Sequence, residues 1–462
     1  MTTLDLTTTL GPVRALHGVN LGPIDRRWGR DYSKYFAAAQ IASVRLHDAP
    51  LLAGEVADLH TIFPNPAADP DDERNYTFGV TDHYLAAIRA AGGEIYFRLG
   101  ESIEHEPEKV FVRADRWQPE ALARVCANIV RHYNAGWANG FEWGVKYWEF
   151  WNEPDCGSGE LPNERRSCFA GTAEEFLAFY RAVAPAVKAA DPSALIGLAG
   201  WTGTWTRAWL AADIDDRDGW SGWLGVVARA AEEGLPIDFV SWHDYPSQWG
   251  QISDLALGVR ARLDALGLTE AESHLTEWCW VPTMRDEQGE YNWGMVRMGN
   301  DYVRYETAYE YMNGPRGAAY TFGALAMMQD LPLELSHHYT GTSENWGLFR
   351  VSGRPTTKYE AFAEFARFLA AGAERVAVTG QDDDRLRVLA VRTADGTVRI
   401  AVANHEPAAE GFTAAVSGSE DLTLASVRTL TEDGWVDGTA TLTGSTLRVD
   451  TTEPRLTVIE LR

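Results

Sequence analysis

From residue 15 onward, short apolar runs alternate with stretches whose apolar residues recur at helical spacing, and eight such pairs can be counted. The strand-like runs are 15–20, 42–47, 94–99, the aromatic run that begins at Val145, 194–199, 237–242, 273–276 and 318–322. The helical stretches between and after them are about 31–40, 82–91, 119–133, 173–190, 220–233, 254–266, 300–311 and 357–369. The fourth helix starts after a Thr172 cap and stops before Asp191-Pro192. Strict alternation argues for parallel strands joined by helical crossovers, and eight units predict closure as a (β/α)8 TIM barrel. An open doubly wound sheet would need a Gly-rich phosphate turn after the first strand, and Gly18-Val19-Asn20-Leu21-Gly22 does not supply one.

After Gly372 the period changes to two. The runs 385–392, 398–404, 422–430, 439–443 and 455–461 read as strands, with Asp395-Gly396 as a hairpin turn. The predicted organisation is therefore a catalytic barrel over 12–371 and a smaller antiparallel β-sandwich over 372–462, to which residues 1–11 add a strand through Leu4 to Leu10.

Composition bears out a folded chain: 45% of the 462 residues are hydrophobic and 23% charged. The 41 basic and 66 acidic residues give a formal charge of -25, which repels nucleic acid and anionic membranes. The first residues lack a basic region followed by an apolar core, and no run approaches a membrane span, so a cytoplasmic location is the expectation. Cys126, Cys156, Cys168 and Cys279 show no CxxC spacing, so neither a metal nor a cofactor is expected, and reduced thiols are preferred to a Cys156–Cys168 bridge. The acidic run from Asp69 to Glu73 lacks the spacing of a calcium loop.

In such barrels, functional groups sit at the C-terminal strand ends. Polar residues collect there: Arg45, His47 and Asp48 after strand two, Glu101 after strand three, Asn152 and Glu153 after strand four, His243 and Tyr245 after strand six, Glu277 and Trp278 after strand seven. Two carboxylates across a barrel mouth, Glu153 and Glu277, are what glycoside hydrolysis needs, one to protonate the leaving oxygen and one to attack or to assist water. Their separation sets the stereochemistry: about 5–5.5 Å for retention, roughly 6.5–9.5 Å for inversion.

Trp151-Asn152-Glu153-Pro154 and Leu275-Thr276-Glu277-Trp278 resemble the acid/base and nucleophile motifs of the clan A retaining glycoside hydrolases. Ser43-Val44-Arg45-Leu46-His47, Asp238-Phe239-Val240-Ser241-Trp242-His243 and the C-terminal sandwich are most similar to glycoside hydrolase family 39, which includes β-xylosidases and α-L-iduronidases. The resemblance implies Glu153 as general acid/base, Glu277 as nucleophile, Asn152 on the sugar hydroxyl next to the anomeric carbon, and Arg45 beside the nucleophile. It also implies His243 and Tyr245 as pocket lining. His47 and Glu101 join them as substrate-binding candidates by position, and Trp278 and Trp346 as sugar platforms; Trp201, Trp205, Trp209, Trp220 and Trp223 read as packing first. The expected partner is a carbohydrate substrate, small oligosaccharides or glycosides cleaved from the end, and the sequence is compatible with a homo-oligomer. The alternatives are a transglycosylase on the same scaffold and a non-catalytic carbohydrate-binding barrel.

Overall fold

The computed structural model describes residues 2–47, 49–51, 54–102, 112–156, 168–202, 223–292, 296, 301–343, 346–381, 384–407 and 411–462. Eight parallel strands close into a barrel: Gly18–Asn20, Ser43–Arg45, Glu94–Leu99, Tyr147–Phe150, Leu195–Trp201, Phe239–Asp244, Glu272–Trp278 and Leu335–His338. Seven of these overlap the predicted runs. The eighth does not, because residues 318–322 lie inside the helix Pro315–Met327. That helix is buried along almost its whole length, wedged between the barrel and the sandwich, so it has no polar face and its short apolar run cannot be told from a strand by periodicity. The true eighth strand, Leu-Ser-His-His, carries polar side chains into the barrel and has no apolar signature.

Pleating sorts the barrel interior into layers. Tyr96, Tyr147 and Phe239 pack with His274 and His337 as an aromatic plug. Two residues further along the same strands, Arg98, Glu149, Ser241 and Thr276 are all buried and polar. The interior thus changes from apolar to charged within one layer, on the side where the strands end.

The C-terminal region is one continuous ten-stranded sheet folded over a shared core of Leu4, Val388, Ile400, Val416, Leu447 and Ile459, among others. Alternate residues of the same strands, Leu389, Val391, Ala401 and Ala403, join the barrel core instead. Both faces of Leu386–Arg392 and Val398–Asn404 are therefore covered, which explains their nearly unbroken apolar sequence. Thr2–Thr9 enters this sheet as an interior strand, antiparallel to Glu374–Thr379 and parallel to Phe412–Ser417, so the sandwich is antiparallel except for one parallel pair. The period-two reading missed Glu374–Thr379, Phe412–Ser417, Gly434–Asp437 and Thr446–Val449, whose short runs mix polar and small residues. None of the described helices is long and apolar enough to cross a membrane.

Because Thr2–Thr9 is held on both edges, Leu4→Ala, at a fully buried position, is expected to cost about 2–5 kcal/mol in urea unfolding, as a cavity in any core strand would.

Candidate active site

The charged layer is organised by Arg45, at the end of strand two and fully buried. Its guanidinium donates four hydrogen bonds: Nε to Glu149 Oε2 at 2.6 Å, Nη1 to Asn20 Oδ1 at 3.0 Å and to Glu277 Oε1 at 2.8 Å, and Nη2 to Asn152 Oδ1 at 2.7 Å. Burial alone would weaken its hold on the proton, but the Glu149 and Glu277 carboxylates reverse this and raise its pKa. Asn20 in turn donates to the Thr276 carbonyl at 2.8 Å, tying strand one to strand seven beside the acid.

Glu277 also accepts a hydrogen bond from the Tyr245 hydroxyl at 2.5 Å, and His47 Nε2 lies 3.7 Å from its other oxygen. Burial, followed by the charge of Glu277, lifts the Tyr245 pKa well above its ordinary value, so this hydroxyl remains a donor. Burial, then the charges of Arg45 and Arg98, push His47 well below its ordinary pKa and keep it neutral.

Glu153 sits across from Glu277. His243 Nδ1 bridges them, 2.8 Å from Glu153 Oε1 and 3.5 Å from Glu277 Oε2, and an oxygen of each acid and this nitrogen all lie within 4.8 Å of one another. The backbone that delivers Glu153 is strained: Trp151 has φ 75° and Glu153 φ 43°, the left-handed region that favours glycine. Hydrogen bonds fix both residues, Trp151 N–H donating to the Leu99 carbonyl at 2.7 Å and Glu153 N–H to the carbonyls of Ala199 and Gly200, each at 3.1 Å. Gly200 must itself be glycine: its φ is +58°, and a Cβ there would stand 2.8 Å from His243 Nε2 and 2.9 Å from Arg45 Nη2. Two residues beyond Glu153, the buried Asp155 accepts hydrogen bonds from Thr202, and its pKa is pushed up to about 7, first by burial and then by Glu153.

The structure thus gathers Arg45, His47, Asn152, Glu153, His243, Tyr245 and Glu277 around one point. Trp346 joins them, half-buried with its ring 5.4 Å from Tyr245 and 5.6 Å from Tyr339. Its carbonyl is held by the buried Lys358 Nζ at 2.6 Å, whose pKa burial depresses to about 8. Trp278 does not join as a platform: it is fully buried, edge-on to His338 at 5.2 Å, and offers no open face. Glu101 belongs to a separate buried network, accepting from the His60 backbone and contacting His60 Nδ1 at 2.5 Å, next to Asp58, which Arg98 and Ser102 hold. Trp201 is buried as packing; Asp48, Trp205, Trp209 and Trp220 lie outside the described residues, as does the side chain of Trp223. Asn20, Glu149 and Lys358 were not singled out in the sequence. Glu149 had a signal, a charge inside an aromatic strand two positions from the inward Tyr147; Lys358 had none.

A family model described as glycosyl hydrolases family 39 matches residues 24–262. A β-xylosidase from Caldicellulosiruptor saccharolyticus is 24% identical over 252 residues, which is 48% of this chain and 40% of that protein; the chain spans well under half of this curated relative. Among solved structures, a glucosidase from Croceicoccus marinus superposes with a TM-score of 0.73 at 24% identity, over 100% of this chain and 98% of the other. CelM2, a bifunctional glucanase-xylanase from a metagenome library, gives 0.62 at 14% identity, over 100% and 98%. At these identities the superpositions establish the fold.

Burial, partly offset by the His60 hydrogen bond, pushes the Glu101 carboxyl from 4.5 up to about 7. A raised acid pKa means that the folded state binds the proton more tightly than the unfolded chain, so this stabilisation is full below pH 4.5 and is lost as pH rises through about 7. Glu101→Gln is expected to remove this fall in stability with rising pH, read from urea unfolding of variant and parent at a series of pH values.

Proposed function

We propose, from the premise that this chain belongs to glycosyl hydrolases family 39, that it hydrolyses β-xylosides or related small glycosides from their ends by a retaining double displacement. The observation that carries this reading is the pair Glu153 and Glu277, whose oxygens come within 4.8 Å of each other. This close approach of the two acids supports direct attack by one carboxylate, the arrangement of a retaining enzyme.

The two environments assign the roles. Glu277 faces the Arg45 guanidinium and the Tyr245 hydroxyl, both of which favour its charged form, as a nucleophile requires. Glu153 faces Glu277, whose charge favours a proton on Glu153, as a general acid requires. Attack by Glu277 at the anomeric carbon, with the Glu153 proton passing to the leaving oxygen, gives a glycosyl ester. Glu153, now ionised, takes a proton from water as that water attacks the ester, and both acids return to their starting states. His243 holds Glu153 from the side through the second step.

Asn152 is positioned for the neighbouring sugar hydroxyl. Arg45 fixes its amide oxygen, while its amide nitrogen is buried with no protein partner among the described residues, a donor available to the sugar. Trp346 offers the partly open aromatic face, and the β-xylosidase and glucosidase relatives suggest the size of sugar it would carry. A purely binding barrel would have no use for two acids in opposed electrostatic settings. Whether water or a second sugar accepts the glycosyl group is decided by product analysis.

On a panel of aryl glycosides, pentosides, hexosides and uronides of both anomers, we expect turnover to be highest for a β-pentoside, with the first product, followed by proton NMR, in the substrate's own anomeric configuration. Glu277→Ala should lower kcat about ten-thousand-fold, and Glu153→Ala about a hundred- to ten-thousand-fold on poor leaving groups but far less on activated aryl glycosides. First appearance of the inverted anomer, or full activity in Glu277→Ala, would overturn the assignment.

A further inference from the structure

The segment that delivers Glu153 runs on to Cys156, and the chain returns to the same place at Cys168. One carboxylate oxygen of Glu153 and the two sulfurs all lie within 4.8 Å of one another. Cys168 is buried, Cys156 and Glu153 are half-buried, and neither cysteine is in a disulfide. The three donors converge on the protein's own terms. Trp151 Nε1 donates to the Cys168 carbonyl at 2.8 Å, Cys156 N–H donates to the Glu153 carbonyl at 3.0 Å, and Asp155, between Glu153 and Cys156, is bound by Thr202. The main chain on both sides of the triangle is thus anchored with no ion required.

Two sulfurs and one carboxylate oxygen form a soft to borderline donor set. It suits zinc or cadmium, which take thiolate and carboxylate in a tetrahedron and leave the fourth position for water, and it suits neither calcium nor magnesium, which require oxygen donors. The spacing of the two cysteines in the sequence gives no hint of a metal motif; the fold supplies the convergence. A net charge of -25 further raises the local concentration of cations.

We propose that Cys156, Cys168 and Glu153 form an inhibitory site for a thiophilic divalent cation, zinc or cadmium. Each thiol gives its proton to solvent as its metal–sulfur bond forms, with no change of oxidation state. The ion occupies the carboxylate that would otherwise carry the proton to the leaving group. The inhibitory consequence rests on the glycosidase reading; the binding does not.

The test is a cadmium titration of the full chain, reduced and freed of metal by chelator, followed both by the ultraviolet thiolate-to-metal absorption and by aryl glycoside hydrolysis. A single equivalent should saturate the absorption and abolish hydrolysis, and added chelator should reverse both. The double variant Cys156→Ser, Cys168→Ser should lose the absorption and need at least about tenfold more cadmium for inhibition, judged against its own metal-free rate. Glu153→Gln, which keeps both sulfurs and nearly the same shape, should retain the absorption with about tenfold weaker affinity. The proposal fails if the parent shows no absorption, if Glu153→Gln binds cadmium as tightly as the parent, or if the double variant is inhibited at the same concentration. That last result would place the ion on Glu153, His243 and Glu277, whose ligand atoms also lie within 4.8 Å of one another. Since the absorption needs no turnover, a chain inactive on every glycoside would refute the functional reading and leave the metal site still measurable.

Discussion

The buried guanidinium of Arg45 is the constraint on which the rest of the site depends. Removing that charge from water is costly unless every direction of its planar fork meets an acceptor. Here the fork meets Glu149, Glu277, Asn20 and Asn152, which come from strands four, seven, one and four. One side chain therefore fixes the relative positions of the strand ends and sets the electrostatics of the cleft. It places a positive charge against Glu277, fixes the Asn152 amide, and adds to the burial that keeps His47 neutral. A lysine, a point charge with no fork, could not reach the same partners at once.

The opposite side of the cleft is governed by backbone strain. Trp151 and Glu153 both adopt left-handed conformations that side chains rarely take, and the cost is of order 1–3 kcal/mol each. Hydrogen bonds to strands three and five offset it. The result is that Glu153 leaves its strand abruptly and turns toward Glu277 and His243. Gly200 completes the arrangement by leaving the space beside strand five that Arg45 and His243 occupy.

Further from the chemistry, the sandwich and the barrel share a core. The helix Pro315–Met327 is covered by strands Leu386–Arg392, Val398–Asn404 and Arg455–Leu461 on the side away from the barrel. The closing helix Thr357–Phe368 also carries Lys358, whose ammonium supports the Trp346 loop from beneath. The wall of the cleft is thereby connected to the element that docks the sandwich, in which Arg428 pairs with Glu364 of that same helix.

Periodicity located seven of the eight barrel strands and five of the strands after Gly372, because burying one face at a time leaves a pattern of 3.6 or 2 in the chain. The helix 173–190, with its Thr172 cap, was legible to the residue, and the structure adds Glu175 as the other half of a capping box. That the two acids would meet Arg45, His47, Asn152, His243 and Tyr245 was legible because a closed barrel brings its strand ends together. The method failed where burial is complete or where the interior is polar: the helix around Tyr320 has no exposed face, and the strand Leu335–His338 carries histidines where aliphatic residues were expected. Whether an aromatic ring is partly open or wholly core, which separates Trp346 from Trp278, depends on neighbours far away in sequence. So do the pairing of Glu101 with His60 and the meeting of Cys156 and Cys168 at Glu153. Local sequence determines which residues face inward; only the closed tertiary structure decides which of them meet.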